Sequence, residues 1–68
     1  MSDFGRRCKA LREARGLTQK QLANILGIET RSISRYEETD ALPRVDTALK
    51  IAKFFCISVE EMVEGERE

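Results

Sequence analysis

Glycine and proline residues cut this chain into short segments, each with an apolar pattern of helical period. The interruptions fall at Gly16, Gly27, Pro43 and Gly65, and the start signal at Ser58 divides the segment between Pro43 and Gly65 in two. No segment alternates apolar and polar residues as a half-buried strand does, and no low-complexity run or flexible linker occurs. The 68 residues therefore predict one small domain, residues 1–68, folded as an all-α, compact bundle of five helices.

Two of the five helices have strong start signals. Thr18 is the expected N-cap of the second helix, and Gln21 three residues later completes a capping box. Ser58 and Glu61 repeat this pattern at the start of the fifth helix. Apolar staple pairs flank both starts, namely Leu17 with Leu22 and Ile57 with Met62. Gly27 can adopt the left-handed conformation, so we expect the second helix to end there in a tight turn.

The other three helices have weaker start signals. Their predicted ranges are residues 4–15, 30–38 and 45–55. Ser2 or Asp3 can cap the first of these helices, whereas Glu29 is a poor N-cap for the next. The fifth helix is expected to end at Gly65, and the tail at residues 66–68 is expected to fray.

Apolar side chains recur at helical spacing and define the candidate core. In chain order they are Phe4, Cys8, Leu11, Leu22, Ala23, Ile25, Leu26, Ile33, Tyr36, Val45, Ala48, Leu49, Ile51, Ala52 and Phe55. Cys8 falls on the inward face of the first helix, so we expect a small apolar core residue there rather than a reactive thiolate.

The formal net charge of zero conceals an uneven distribution. Residues 1–35 contain eight Lys or Arg against three Asp or Glu, and residues 36–68 contain four against nine. This split is compatible with a basic face that binds a polyanion, and it is equally compatible with ordinary helix faces exposed to solvent. Charge alone leaves both interpretations open, because nucleic-acid-binding domains are usually basic overall.

The composition argues against an enzyme and against a bound metal or cofactor. The chain has no histidine and only two cysteines, Cys8 and Cys56, which cannot complete a four-ligand zinc site. It contains no glycine-rich phosphate loop, no nucleophile paired with a base, and no evident site for a small-molecule ligand. There is no run of about 18 apolar residues and no apolar stretch after the first basic residues, so we expect a cytoplasmic protein without a membrane partner.

The third predicted helix carries a polar arc opposite its apolar side. At about 100° per residue, Ile33 and Tyr36 point in one direction. The opposite arc contains Thr30, Arg31, Ser34, Arg35 and Glu38. We expect this arc to contact a polar partner.

The residues around Gly27 resemble the Cro/CI-type (XRE-like) helix-turn-helix of phage and bacterial repressors. The matching segments are Leu-Thr-Gln-Lys-Gln-Leu-Ala-Asn-Ile-Leu-Gly-Ile at residues 17–28 and Ile-Ser-Arg-Tyr-Glu at residues 33–37. A small Ala23, a turn Gly27 four residues later and a β-branched Ile33 six residues after that suit two helices that cross closely through a short turn. This combination is specific, whereas a turn glycine alone is weak evidence.

The resemblance spans residues 4–64, with the helix-turn-helix at about residues 18–38, and it implies DNA binding. The second helix of such a motif enters the major groove, so the polar arc becomes the implied base-reading surface. Its residues are Thr30, Arg31, Ser34 and Arg35. Arginine can pair with guanine O6 and N7, and threonine can contact a base edge or a thymine methyl. The alternative for the arginines is a phosphate contact or a solvated surface charge.

The resemblance also implies contacts with the DNA backbone. The candidate phosphate ligands are Thr18, Gln19, Lys20 and Arg44. Gln19 lies in the first turn of the second helix, where free backbone N–H groups bind anions. The alternative for these residues is a general contribution to solubility or to the positive field.

Arg12 and Glu37 match the positions of a structural ion pair in the family, which implies that they join the first helix to the end of the third. The chain departs from the family after the third helix, where Asn-Gly followed by Lys or Arg is usual and Glu38-Thr39-Asp40 stands here. The acidic residues here repel a phosphate where the basic residue of the family would bind one. Glu29 adds a further carboxylate near the groove. It can accept a hydrogen bond from the N4 amine of cytosine and is otherwise unfavourable there.

The sequence as a whole predicts a sequence-specific DNA-binding transcriptional regulator, favouring a repressor that occupies an operator. Its partner is double-stranded DNA, and its location is the cytoplasm, bacterial or phage-type and associated with the nucleoid. The alternative is a protein-interaction module that keeps the helix-turn-helix fold without binding DNA, which the acidic residues 38–40 motivate.

We also expect a symmetric homodimer on DNA, because one short recognition helix reads too few base pairs to select a site in a genome. The candidate interface residues are Phe54, Val59, Met62 and Val63. Phe54 and Phe55 are adjacent, so one ring is expected to stay exposed unless the fifth helix covers both. A further C-terminal domain could carry the dimer contacts instead.

Overall fold

Five α-helices connected by short loops form the protein in the computed structural model, which describes residues 3–39 and 41–64. In chain order they are α1 (Phe4–Ala14), α2 (Gln19–Leu26), α3 (Thr30–Glu38), α4 (Val45–Phe55) and α5 (Val59–Glu64). The described residues contain no strand, and the predicted all-α bundle is confirmed. The predictions for Ser2, Asp40, Gly65 and the tail at residues 66–68 lie outside the described residues.

Both predicted capping boxes are formed. The Thr18 hydroxyl oxygen accepts the Gln21 backbone N–H at 3.0 Å, and Gln21 Oε1 accepts the Thr18 backbone N–H at 2.9 Å. Ser58 Oγ accepts the Glu61 N–H at 3.0 Å, and Glu61 Oε1 accepts the Ser58 N–H at 3.2 Å. Gly27 has a φ of 72° and ends α2 in the left-handed conformation that the tight turn requires.

The remaining helices start without side-chain caps. Neither Asp3 before α1, Glu29 before α3 nor Arg44 before α4 accepts a capping hydrogen bond. The predicted cap by Asp3 is wrong because its carboxylate pairs with Arg6 one turn further on. These starts depend on tertiary packing more than on local hydrogen bonds.

The core lies between the inward faces of all five helices. Its buried apolar side chains are Phe4, Cys8, Leu22, Ala23, Leu26, Ile33, Ala48, Ile51, Ala52, Phe55 and Met62. Three predicted core residues are instead exposed, namely Ile25, Val45 and Leu49. Periodicity identified the apolar side of each helix, but the neighbouring helices are short and cover only part of that side.

Helix α3 packs against both α1 and α2, and this arrangement positions the candidate site. Helices α4 and α5 pack together, and α5 also meets α1, where the Asp3 N–H donates to the carbonyl of Val63 at 2.9 Å. In the part of the chain that the structure describes, no helix is both long enough and apolar enough to cross a membrane.

Candidate nucleic-acid interface

One face of α3 carries the four residues predicted to read bases. Thr30, Arg31 and Arg35 are exposed and Ser34 is half-buried. Ile33, on the opposite side, is completely buried. Because Ile33 fixes the rotation of α3 against the core, the two arginines, one turn apart, face away from it.

Arg31 lies close to an acidic side chain at the start of α3. Its Nε is 3.6 Å from Glu29 Oε1, and the two side chains are 88% and 77% exposed. Exposed pairs of this kind contribute about 0–1 kcal/mol to stability. Arg31 can therefore exchange this carboxylate for another acceptor at little cost.

The start of α2 presents hydrogen-bond donors. Thr18 and Lys20 are exposed, and Gln19 is half-buried. The Thr18 hydroxyl uses its oxygen to cap the helix, so its own O–H remains a donor. Gln19 Nε2 donates to Glu37 Oε1 at 3.0 Å. The first turn of α2 contains no acidic side chain that would repel an anion.

A buried ion pair lies behind this face. Arg12 Nε donates to Glu37 Oε2 at 2.9 Å, and Arg12 Nη2 donates to Glu37 Oε1 at 3.0 Å. Arg12 Nη1 also donates to the carbonyl of Leu17 at 2.7 Å. The side chains are 9% and 1% exposed. The structure therefore brings Arg12 and Glu37 together, and the pair joins α1, the loop after it and α3.

The pKa values of two side chains reflect this environment. The hydrogen bond to Glu37 raises the pKa of Arg12 above its ordinary value, although burial acts in the opposite direction. Burial, followed by the charge of Glu37 and a hydrogen bond to it, raises the pKa of the Cys8 thiol to about 12. Cys8 is completely buried, which confirms the prediction of a core residue. A thiol with so high a pKa is a poor nucleophile.

A negative side chain ends α3 and a positive one precedes α4. Glu38, at the end of α3, and Arg44, just before α4, are both exposed. Thr39 closes α3, because its Oγ1 donates to the carbonyl of Arg35 at 2.7 Å. In sequence, the loop after α3 separates Arg44 from the candidate residues on α2 and α3.

The predicted dimer residues divide into two kinds. Met62 is 0% exposed, so its assignment to a dimer interface is wrong: α5 turns this side chain into the core. Phe54, Val59 and Val63 are half-buried and pack against the core. The Arg15 guanidinium lies 5.3 Å from the centroid of the Phe54 ring and covers part of it.

Two features near the site were missed from the sequence. A Cβ atom on Gly5 would lie 1.7 Å from the carbonyl oxygen of Tyr36, so α1 and α3 approach closely there. The signal was present, since a glycine inside an amphipathic helix commonly has a packing reason. The hydrogen bond between Gln19 and Glu37 had no sequence signal.

An apolar strip at the start of α4 was also missed. It consists of Leu42, Val45 and Leu49, which are spaced three and four residues apart and are all exposed. Val45 is the most exposed of them, at 77%. Val45 and Leu49 are one turn apart and lie on the same side of α4, and Leu42 is in the loop just before the helix.

Comparisons with known proteins agree on the fold. A family model described as Helix-turn-helix matches residues 9–62. A crystal structure of a transcriptional regulator from Listeria innocua aligns with a TM-score of 0.84 and 25% identity, over 100% of this chain and 64% of that one.

Of two curated relatives, one is described as a transcriptional activator and the other as a transcriptional repressor. The transcriptional activator BcrR of Enterococcus faecalis is 33% identical over 64 residues, which are 94% of this chain and 31% of that protein. The transcriptional repressor RstR of the cryptic phage CTXphi, from Vibrio cholerae, is 32% identical over 60 residues, or 88% and 54% of the two chains. The chain spans about a third to about half the length of these two proteins.

Proposed function

Because the chain belongs to the helix-turn-helix family of XRE (Cro/CI-type) transcriptional regulators, which are DNA-binding proteins and not enzymes, we propose that it reads an operator in double-stranded DNA. In this proposal α3 enters the major groove and α2 crosses the DNA backbone. Binding regulates transcription by occupancy of the site, with no chemical step.

The observation that carries the proposal is the exposed face of α3. Arg31 and Arg35 lie one turn apart on a helix whose other side is held in the core by Ile33. A rigid helix that presents two planar, multi-donor side chains suits the paired acceptors O6 and N7 of guanine. Thr30 and Ser34 supply shorter donors and acceptors beside them.

Phosphate contacts would hold α3 in register. The start of α2 offers the exposed donors Thr18 and Lys20, the amide of Gln19, and the backbone N–H groups of its first turn. Arg44 would add a contact from the loop before α4. These contacts fix the position of the protein on the duplex but do not discriminate sequence.

Repression is the direction we propose. Occupying an operator excludes other proteins from it and needs no surface beyond the DNA-binding face. Activation needs a second surface that engages the transcription machinery. A reporter gene under a selected operator distinguishes these outcomes, because repression lowers its expression when the protein is supplied and activation raises it.

The proposed working form on DNA is a homodimer. One α3 reaches only a few base pairs, whereas two copies related by a two-fold axis read half-sites about 34 Å apart. The molecule measures 32 × 22 × 20 Å, so its longest dimension is close to this spacing.

The α4 apolar strip is the surface that we propose for this second copy. It holds the exposed Leu42, Val45 and Leu49, whereas Phe54, Val59 and Val63 already pack partly against the core. Exposed Asp46 and Lys50 follow Val45 and Leu49 in sequence and flank the strip. Lys50 Nζ donates one N–H to the carbonyl of Leu26 at 3.3 Å, and its ammonium carries two further donors. An antiparallel pairing of two α4 helices about a two-fold axis would bring each Asp46 towards the Lys50 of the partner subunit.

Analytical ultracentrifugation tests this surface. Val45→Glu should shift the protein to monomer and weaken operator binding, because it buries a charge in the apolar contact. Ala10→Glu introduces the same charge at an exposed position of α1 and should leave the dimer intact. A dimer that survives Val45→Glu but is lost on Val59→Glu would place the interface on α5, as the sequence predicted. A monomer that protects a single half-site would refute the dimer.

Fluorescence anisotropy with mixed-sequence duplex DNA tests DNA binding itself. The regulator should bind with an affinity that falls steeply with salt, with a slope of roughly −0.9 for each phosphate that a basic side chain neutralises. Complete absence of binding at low salt would favour the protein-interaction module. The exposed Glu29, just before α3, and Glu38, its last residue, motivate that second function, because both repel a phosphate backbone.

A further inference from the structure

The carboxylate of Glu37 links the internal ion pair to a candidate DNA contact. Oε1 of Glu37 accepts from Arg12 Nη2 and from Gln19 Nε2, each at 3.0 Å, while Oε2 accepts from Arg12 Nε at 2.9 Å. Glu37 is on α3, Arg12 on α1, and Gln19 is the first residue of α2. Three helices thus meet at one side chain that is 1% exposed.

This contact determines which way the Gln19 amide is turned. A carboxylate that pairs with a guanidinium has only acceptor atoms, so the Gln19 atom that faces it must be the nitrogen. An amide nitrogen carries two N–H groups, and the structure describes one hydrogen bond from Nε2 of Gln19. The second N–H is therefore available to an external acceptor.

We infer that Glu37 is a positioning residue for DNA binding: it holds the Gln19 amide so that its second N–H donates to a DNA phosphate. The inference rests on the proposed function. A free glutamine side chain loses substantial rotamer freedom when it binds, and one already fixed by Glu37 loses less. A hydrogen bond to a carboxylate also polarises the amide and strengthens its other N–H as a donor. Arg12 takes part by holding the carboxylate in place.

Electrostatics and positioning predict opposite results for Glu37→Gln. Removing a negative charge near a polyanion should tighten binding if charge alone matters. A neutral glutamine at this position can present either its oxygen or its nitrogen to Gln19, so the amide loses its defined orientation. Positioning therefore predicts that affinity for mixed-sequence duplex falls about 3- to 10-fold, as expected for the loss of one hydrogen bond.

Glu38→Gln is the matched control. Glu38 is the next residue, it is exposed, and the substitution removes the same charge from the same helix. It should leave affinity unchanged or raise it. Because Gln19 is uncharged, Glu37→Gln should lower affinity without reducing the salt slope, whereas Lys20→Ala should reduce that slope by about one unit.

A double-mutant cycle separates positioning from a general loss of structure. Gln19→Ala should weaken binding about as much as Glu37→Gln, and the double variant should be no weaker than either. Circular dichroism at the assay temperature establishes that each variant is folded. If wild-type protein does not bind duplex DNA, the proposed function fails. If it binds but the two losses add, or Glu37→Gln binds more tightly, the positioning role alone is refuted.

NMR on the wild-type protein keeps the inference testable if Glu37→Gln does not fold. One Nε2 proton of Gln19 should exchange slowly with water in the free protein, and the other should shift when duplex DNA is added. Gln21, whose amide oxygen takes part in the capping box, provides the internal control with faster exchange. Equal, fast exchange of both Gln19 protons, or no shift on adding DNA that does bind, would overturn the inference.

Discussion

Two arginine–glutamate pairs in this molecule have the same chemistry and opposite surroundings. Arg12 and Glu37 are 9% and 1% exposed and form two hydrogen bonds, at 2.9 and 3.0 Å. Arg31 and Glu29 are 88% and 77% exposed, and their nearest atoms are 3.6 Å apart. The first pair lies between α1 and α3, and the second lies at the start of α3 on the side that faces away from the core.

The difference shows how one helix serves two purposes. A buried, hydrogen-bonded pair is costly to break, because either partner left alone is a buried charge without its main counter-charge. An exposed pair is screened and contributes little, so its members remain free to take other partners. Glu37 therefore fixes α3, and Arg31 remains available to whatever approaches α3.

The largest effect is expected from Gly5→Ala at the buried junction. The new Cβ would lie 1.7 Å from the Tyr36 carbonyl oxygen, a backbone atom that cannot move aside without shifting α3. We expect a loss of more than about 4 kcal/mol. A domain of this length has a free energy of unfolding of roughly 3–10 kcal/mol, so the substitution should remove from about two fifths to all of it, as measured by urea titration at room temperature.

Gly27→Ala is the control for this prediction. Its Cβ would meet nothing within 4 Å, but the φ of +72° is strained for alanine. The cost should be about 1–2 kcal/mol. If Gly5→Ala is no more destabilising than Gly27→Ala, the close approach of α1 and α3 is incorrect.

Glu37→Ala should have the next largest effect. It leaves the buried guanidinium of Arg12 with the Leu17 carbonyl and, 3.9 Å away, the exposed carboxylate of Glu13. We expect a loss of about 3–5 kcal/mol in the free energy of unfolding, measured by chemical denaturation. Glu38→Ala, at an exposed position, should change it by less than about 0.5 kcal/mol. Equal unfolding midpoints for the two variants would show that the buried pair does not stabilise the junction.

The sequence was most informative where structure is local. The capping boxes at Thr18 and Ser58 join residues three apart, and the turn at Gly27 depends on one residue, so short-range patterns predicted them correctly. The four candidate base-reading residues share a face for the same reason, because helical periodicity and one buried Ile33 determine it.

Contacts between distant residues could not be predicted in this way. Gln19 meets Glu37 across 18 positions, and Gly5 meets Tyr36 across a larger separation, so both depend on how the helices dock. How much of the apolar side of each helix is buried also depends on how the helices pack together. The sequence predicts Val45 in the core, but it is 77% exposed, whereas it predicts Met62 at a dimer interface, but Met62 is buried.

Raising the pH should weaken the buried junction through Cys8. The thiol pKa is about 12 in the folded protein against an ordinary 9.0. Above pH 9 the unfolded chain releases this proton and the folded protein retains it, so the free energy of unfolding should decline by up to about 1.4 kcal/mol per pH unit between pH 9 and pH 12. Below pH 9 the thiol is protonated in both states and adds no pH dependence.

Cys8→Ser isolates this contribution. Serine does not ionise in this range but can donate to Glu37, so the two proteins differ in this one ionisable group. The difference in stability between wild type and Cys8→Ser, followed by urea denaturation from pH 8 to pH 11, should shift against wild type as pH rises. Parallel curves would mean that the thiol is not shielded by the fold.

Arg31→Ala and Arg35→Ala should affect DNA recognition rather than stability. Each side chain is exposed, so the free energy of unfolding should change by less than about 0.5 kcal/mol. Loss of a bidentate guanine contact should cost about 1–3 kcal/mol of discrimination at one base position. Selection from randomised duplexes measures this directly. Unchanged base preference in both variants would show that this face of α3 does not read the sequence.

Glu29→Gln should have the smallest effect, and it tests the exposed pair directly. Because Glu29 is 77% exposed and 3.6 Å from Arg31, removing its charge should change stability by less than about 0.5 kcal/mol. Affinity for mixed-sequence duplex should rise about 1.5- to 5-fold at low salt, since one source of repulsion is removed and Arg31 is released. That gain should shrink as salt rises, because the Debye length falls to about 8 Å at physiological ionic strength. Weaker binding confined to sequences with one particular base pair would reverse the interpretation: Glu29 would then itself accept from a cytosine amine, and the exposed pair would belong to the reading surface as a whole.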